Sequence, residues 1–276
     1  MNYFNIPLEE WANTFVDDWL LPVTGDFFDT ISDGLRTFIG GVTDLLIAIP
    51  PELIVLVIVM LAWKISGRGL ALFALIGSLY LGSVDLWTEA IQTVSIVMVS
   101  TLISITIGIP LGILAATNKL MAGLVRPILD FMQTLPSFVY LIPAILLFGL
   151  GNVPAVIATF VFATPPVVRM TTLGIQQVPA DVVEASTAFG STKWQLLYKV
   201  QLPLAMPSIM AGVNQTMMLA LSMAVIASMI GAPGLGSVVL TGISTVNVGL
   251  GLTGGLGIVV LAIIMDRLTQ GLARKQ

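Results

Sequence analysis

Long apolar stretches alternate along this chain with short polar connections, and the repeat length is that of a membrane helix. A helix crosses the hydrocarbon layer with about 20 mostly apolar residues. Seven stretches approach or reach that length: 50–63, 69–87, 90–116, 127–150, 153–175, 207–230 and 250–268. The first is short and is expected to begin a few residues earlier. Pro110, between Gly108 and Gly112, and the pair Pro165-Pro166 are expected to bend spans three and five. Upstream, Phe28, Ile31, Leu35, Phe38, Ile39 and Val42 recur at three- and four-residue spacing, with Asp29, Asp33 and Arg36 between them. That pattern predicts an amphipathic helix over 26–49, lying in the interface or against other helices.

Basic residues orient the spans, because Lys and Arg of short loops stay on the cytoplasmic side. Lys64 and Arg68 fall between spans one and two, Lys119 and Arg126 between three and four, and Lys193 and Lys199 between five and six. Arg267, Arg274 and Lys275 lie at or beyond the end of span seven, and Arg169 sits near the inner end of span five. All ten bases after residue 53 then share one side, which predicts the N-terminus outside and the C-terminus inside. The opening residues lack a basic stretch followed by an apolar one, so no signal peptide is expected.

Composition narrows the class. Apolar residues make up 57% of the 276 and charged residues only 9%, too few charges to cover a soluble domain of this length. The net charge of −4 is unevenly placed: residues 1–52 carry −8 and the remainder +4. No dense Lys/Arg cluster is present to neutralise nucleic-acid phosphates. The sequence contains neither Cys nor His. Thiol chemistry, imidazole general bases and the usual zinc and haem ligand sets therefore fall away. The expectation is an all-α integral membrane protein of about seven transmembrane helices that performs no chemistry of its own. It divides into an acidic N-terminal segment 1–49, two accessory helices over 50–87 and a core over 88–276.

One polar connection is long. Residues 176–206 are neither Gly/Ser-rich nor a run of charge, so they are not a flexible linker. Pro179-Ala180-Asp181 reads as a helix start, Gly190 as its left-handed stop, and Ser191-Thr192 as the cap of a second helix over Lys193–Val200. Gln201-Leu202-Pro203 is expected to close that helix and Pro207 to open span six. The product is a compact knob.

Within it, Glu184-Ala185-Ser186, three residues, Gly190, nine residues and Val200-Gln201-Leu202-Pro203 resemble the EAA loop of bacterial ABC importer permeases. Ser186 replaces the second Ala of that pattern and Val200 its Ile. The segments 132–143, 162–185, 189–236 and 266–270 are similar to permeases that take up quaternary-ammonium osmolytes such as glycine betaine, carnitine and choline. The resemblance implies a type I importer permease with a five-helix core. Its partners would be a second permease copy, an extracytoplasmic substrate-binding protein and an ATPase subunit that holds the ATP and Mg. No cofactor is expected in this chain. It implies that Asp181, Glu184, Ala185, Ser186, Gly190, Leu202 and Pro203 form the ATPase-coupling surface. The alternatives left open are an ABC permease for another small polar solute and an ion-coupled secondary transporter.

Polar residues inside spans four and six are the other candidates. Gln133, Thr134, Ser137 and Tyr140 flank Pro136, and Asn214, Gln215, Met218 and Ser222 lie in span six. In a membrane such groups either bond between helices or line a path for solute. Both readings stand from sequence alone. The Gly-rich runs 231–236 and 249–257 follow no strand and lack a Lys-Ser/Thr pair, so they are read as close packing or a folded outer loop rather than phosphate loops.

Overall fold

The computed structural model describes residues 7–273; Arg274, Lys275 and the first six residues of the acidic segment lie outside the described residues. The order of elements is helical throughout. Helix α1 (Leu8–Thr14) passes through a π-helical turn into α2 (Leu21–Ala48), followed by α3 (Pro51–Ser66), α4 (Arg68–Ser83), α5 (Trp87–Thr117) and α6 (Lys119–Thr134). A 3-10 turn over Ser137–Tyr140 precedes α7 (Leu141–Phe148), then α8 (Asn152–Gln176), α9 (Ala180–Ala188), α10 (Lys193–Leu196), α11 (Leu202–Ile226), α12 (Leu235–Ser244) and α13 (Val248–Ala273).

Among the described residues, four helices are long and apolar enough to cross a membrane: Trp87–Thr117, Asn152–Gln176, Lys193–Ile230 and Val248–Leu272. They carry spans three, five, six and seven. The others depart from expectation. Span one does not extend back past Pro50, because the chain turns by 95° between Pro22–Ala48 and Pro51–Ser66. Span two is the 16-residue α4, which ends at Ser83. Span four is not one helix. Leu135, preceding Pro136, is extended at φ −74°, ψ 135°, the conformation a following proline ring favours, and the helices on either side diverge by 109°. If each bent pair counts as one span, the total is six. The amphipathic helix expected over 26–49 is α2, which begins at Leu21 and buries Ile39 (1% exposed) while Asp26, Asp29 and Asp33 face outward.

Helix α11 corrects another expectation. Pro203 and Pro207 neither close the preceding helix nor start a new one; helix runs unbroken over Lys193–Ile230. A π-helical turn over Leu197–Gln201 precedes α11. Pro203, which has no N–H to donate, follows directly on that turn, where the regular α-helical hydrogen-bond ladder is already interrupted.

Small residues set the packing. Along α5, Ser100, Ser104, Gly108 and Gly112 recur every four residues and meet α8. Ser100 Oγ donates to the carbonyls of Ile96 (2.7 Å) and Val156 (3.4 Å), and Thr164 Oγ1 donates to Ser104 Oγ at 3.0 Å. A Cβ on Gly108 would lie 2.5 Å from Val167 Cγ1, and one on Gly112 2.8 Å from the Val168 carbonyl. Contacts on both helices climb together, so α5 and α8 are parallel. Gly174 abuts Ala205 and Ser208, while Gly212 abuts Val167 and Met170, so α11 runs antiparallel to α8. Close approach of backbones, with hydroxyls bonded across the seam, replaces the hydrophobic drive that lipid cannot supply.

The contacts also assign ends. Gly271 of α13 abuts Ile65 at the α3–α4 turn, and Asn214 of α11 meets Asp266 and Thr269 of α13. The α3–α4 turn, the C-terminal ends of α5, α8 and α13, and the start of α11 therefore share one end of the bundle. The eight described Lys and Arg after residue 53 all lie on or toward that end.

Candidate functional site

The knob at the basic end is built by local rules. Helix α8 stops at Gln176, and Pro179 (φ −54°, ψ 134°) starts α9, with Asp181 in the first turn where the helix dipole favours an acid. Past Ala188 the chain reverses. The amides of Phe189 and Ser191 donate to the carbonyls of Ala185 (3.1 Å) and Ser186 (3.2 Å), and that of Gly190 to Thr187 (2.9 Å). Gly190 sits at φ +84° with open space around it, so conformation and not room demands glycine there. Ser186 Oγ donates to Ser191 Oγ at 2.9 Å and closes the corner. Thr192 and Gln195 then form a reciprocal capping box at 2.9 and 3.3 Å. Underneath, Leu202 packs against Ile175, Leu197, Ala205 and Ile209, which fixes the knob to α8 and α11.

Of the coupling residues read from sequence, Asp181, Glu184, Ala185, Gly190 and Pro203 are exposed, while Ser186 and Leu202 are half-buried. Glu184 lines a cleft of about 740 Å³ between α9, α10 and the ends of α5 and α8. Its carboxylate has no hydrogen bond or ion pair among the described residues. Sequence reading missed the aromatics of the same knob. Phe189 (92% exposed), Trp194 (78%) and Tyr198 (74%) all project from it. Their signal was present: three aromatics within thirteen residues, 189–201, that also hold Gly, Ser, Thr, two Lys and two Gln.

The polar residues of spans four and six divide. Gln133, Thr134, Gln215 and Ser222 are exposed, Ser137 and Met218 half-buried. Thr134 and Ser222 satisfy their hydroxyls within their own helices, on Phe131 (2.9 Å) and Met218 (3.1 Å). Tyr140 is buried; its hydroxyl donates to the Met132 carbonyl and its ring meets Phe162 edge-on at 5.9 Å, so it braces the break between α6 and α7. The Ser137–Tyr140 turn also touches α11. Asn214 joins helices: its Nδ2 donates to Asp266 Oδ1 at 3.0 Å, and Thr269 Oγ1 donates to its Oδ1. Gln270 adds a 2.7 Å bond to Asp266. A second acid, Asp130 of α6, pairs with Arg169 of α8 at 2.5 Å. The cross-helix partners Arg169 and Asn214 lie 39 and 52 residues from Asp130 and Asp266, beyond the reach of any local spacing signal.

A family model described as "Binding-protein-dependent transport system inner membrane component" matches residues 108–276. The chain is 50% identical over 271 residues to the glycine betaine transport system permease protein OpuAB of Bacillus subtilis, covering 98% of this chain and 96% of that protein. It is 48% identical over 269 residues to the glycine betaine/proline betaine transport system permease protein ProW of Escherichia coli, covering 98% and 76%. Among solved structures, an inward-facing conformation of the MetNI methionine ABC transporter aligns with a TM-score of 0.62 at 23% identity over 67% of this chain and 92% of the other, which supports the fold.

Proposed function

The chain belongs to the binding-protein-dependent transport system inner membrane components, and from that premise we propose that it passes a quaternary-ammonium osmolyte of the glycine betaine type across the membrane. It is a multi-pass transporter subunit rather than an enzyme. The observation that carries the partner assignment is the knob. Its turn is fixed by Gly190 and the Thr192–Gln195 box, yet it leaves Glu184, Ala185, Phe189 and Trp194 open. A rigid protrusion with an unpaired carboxylate and bare aromatics suits docking into another protein, since aromatics and charge-assisted bonds anchor interfaces. The occupant is an ATPase subunit that binds ATP and Mg and drives the cycle. Because α10 continues without a break into α11, a push on the knob is transmitted directly to a spanning helix.

In this reading the basic end is cytoplasmic, the C-terminus is inside and the N-terminus outside, and a substrate-binding protein delivers cargo at the opposite end. A second copy completes the pathway, which Gln133, Thr134, Ser137, Gln215, Met218 and Ser222 border.

The test is reconstitution with the cognate ATPase and binding protein in liposomes, with betaine-dependent ATP hydrolysis and betaine uptake measured together. Uptake that tracks ATP is expected. Uptake driven by a sodium or proton gradient without ATP would overturn the reading, and uptake only of an unrelated polar solute would overturn the cargo. A membrane-impermeant thiol label on a Ser191→Cys variant is expected to react from the cytoplasmic side alone.

A further inference from the structure

Helix α6 carries three faces where a packed membrane helix needs two. One face, through Leu129, Val125 and Met132, packs into the bundle. A second is apolar and bare: Leu120 (70% exposed), Leu124 (56%), Ile128 (58%) and Phe131 (64%) recur every three or four residues. The third is polar and holds Lys119, Arg126 and Asp130. Asp130 is neutralised by Arg169 at 2.5 Å. Lys119 and Arg126 have no ion-pair partner among the described residues, so this face keeps two uncompensated cations.

Those cations border a cavity. A pocket of about 420 Å³ lies between the last turn of α5 and the first turns of α6, lined by Thr117, Lys119, Arg126 and the Gln176 side chain. Arg126 and Gln176 also line a smaller space of about 230 Å³ beside Asp130 and Arg169. The first-turn amides of α6 are not available to a ligand, because Asn118 Oδ1 accepts from Leu120 N at 2.9 Å and Met121 N at 3.4 Å. Any anion here is therefore held by side chains, not by the helix terminus.

From this juxtaposition we infer that the α5–α6 corner binds the phosphate of an anionic phospholipid, with Lys119 and Arg126 on the headgroup and the Leu120–Leu124–Ile128–Phe131 stripe along the acyl chains. A soluble anion would use the two cations but not the apolar stripe. A lipid uses both, and the site lies at the end of the bundle that carries the bases, where a leaflet's headgroups sit. Each Lys or Arg near an anionic membrane surface contributes about fivefold to binding, so the pair is expected to contribute roughly thirtyfold.

The experiment is native mass spectrometry of the full-length chain titrated with phosphatidylglycerol or phosphatidylcholine, checked in nanodiscs of the same two lipids. Preferential retention of phosphatidylglycerol is expected, with roughly thirtyfold loss in Lys119→Gln/Arg126→Gln and no loss in Arg68→Gln, which removes a base at the same end but outside the pocket. Equal binding of the two lipids, or unchanged selectivity in the double variant, overturns the site. Competition by millimolar inorganic phosphate would reassign it to a soluble anion and overturn the lipid. The chain has no native Cys, so Leu124→Cys probes the stripe independently. Quenching by a bromine-labelled acyl chain of a fluorophore there supports the proposal, whereas a disulfide-linked dimer places a second copy on this face and overturns it.

Discussion

The α5–α8 seam and the α9–α10 knob are made of the same small residues and use them in opposite ways. In the seam, Ser100, Ser104, Gly108 and Gly112 are buried, and what counts is the space a side chain would have taken. In the knob, Ala185, Ala188 and Gly190 are exposed, nothing crowds Gly190, and what counts is its positive φ and the bare surface it leaves. One region spends its glycines on packing, the other on shape. Small-residue content alone therefore separates neither function; burial does.

The sharpest way to break the comparison is to add volume on both sides. Gly112→Leu drives atoms toward the Val168 carbonyl and Thr171, and overpacking of that kind is expected to cost about 3 kcal/mol or more, seen as a fall in the detergent melting temperature and in the monodisperse yield. Gly190→Val meets no neighbour, so its stability cost is limited to backbone strain of about 1–2 kcal/mol. Uptake in the reconstituted system is nevertheless expected to fall more than tenfold while the chain still inserts. A Gly190→Val protein with normal ATP-driven uptake would remove the knob from the coupling path.

Smaller effects sharpen the contrast. Phe189→Ala is expected to leave melting unchanged, because the ring is 92% exposed, and to weaken co-purification of the ATPase by about tenfold or more, as for an interface anchor. Asn214→Leu removes bonds to Asp266 and Thr269. Interhelical hydrogen bonds in membranes average about 0.6 kcal/mol, so a loss near 1 kcal/mol is expected in a denaturant series. Asp130→Asn should change stability least. The pair is largely exposed (39% and 69%), which limits it to about 0.5 kcal/mol, and raised salt should erase the difference between variant and wild type.

Much was legible before any fold was drawn. Apolar length placed four spanning helices, and charge placement grouped the bases at one end. Gly190 with Ser191-Thr192 specified a turn and a second helix start, because those signals are local. The reversals that sequence missed were decided by proline in context. Leu135-Pro136 breaks a span with a bend of 109°, while Pro203 and Pro207 interrupt nothing. The difference lies in the hydrogen-bond pattern around each ring: an extended residue before Pro136, a π-helical turn before Pro203. The aromatics of the knob were visible as letters but not as surface.

By itself, then, the sequence determined that the chain is a helical membrane protein with neither Cys nor His, and where its protruding polar connection lies. These follow from composition and from spacing within a few turns. Only the tertiary structure decided that α5 and α8 pack directly against each other, that Asp266 and Asp130 are partnered, and which face of α6 is bare. Each of those depends on residues far apart in the chain meeting across a helix interface, and no local period records which helix will be the neighbour.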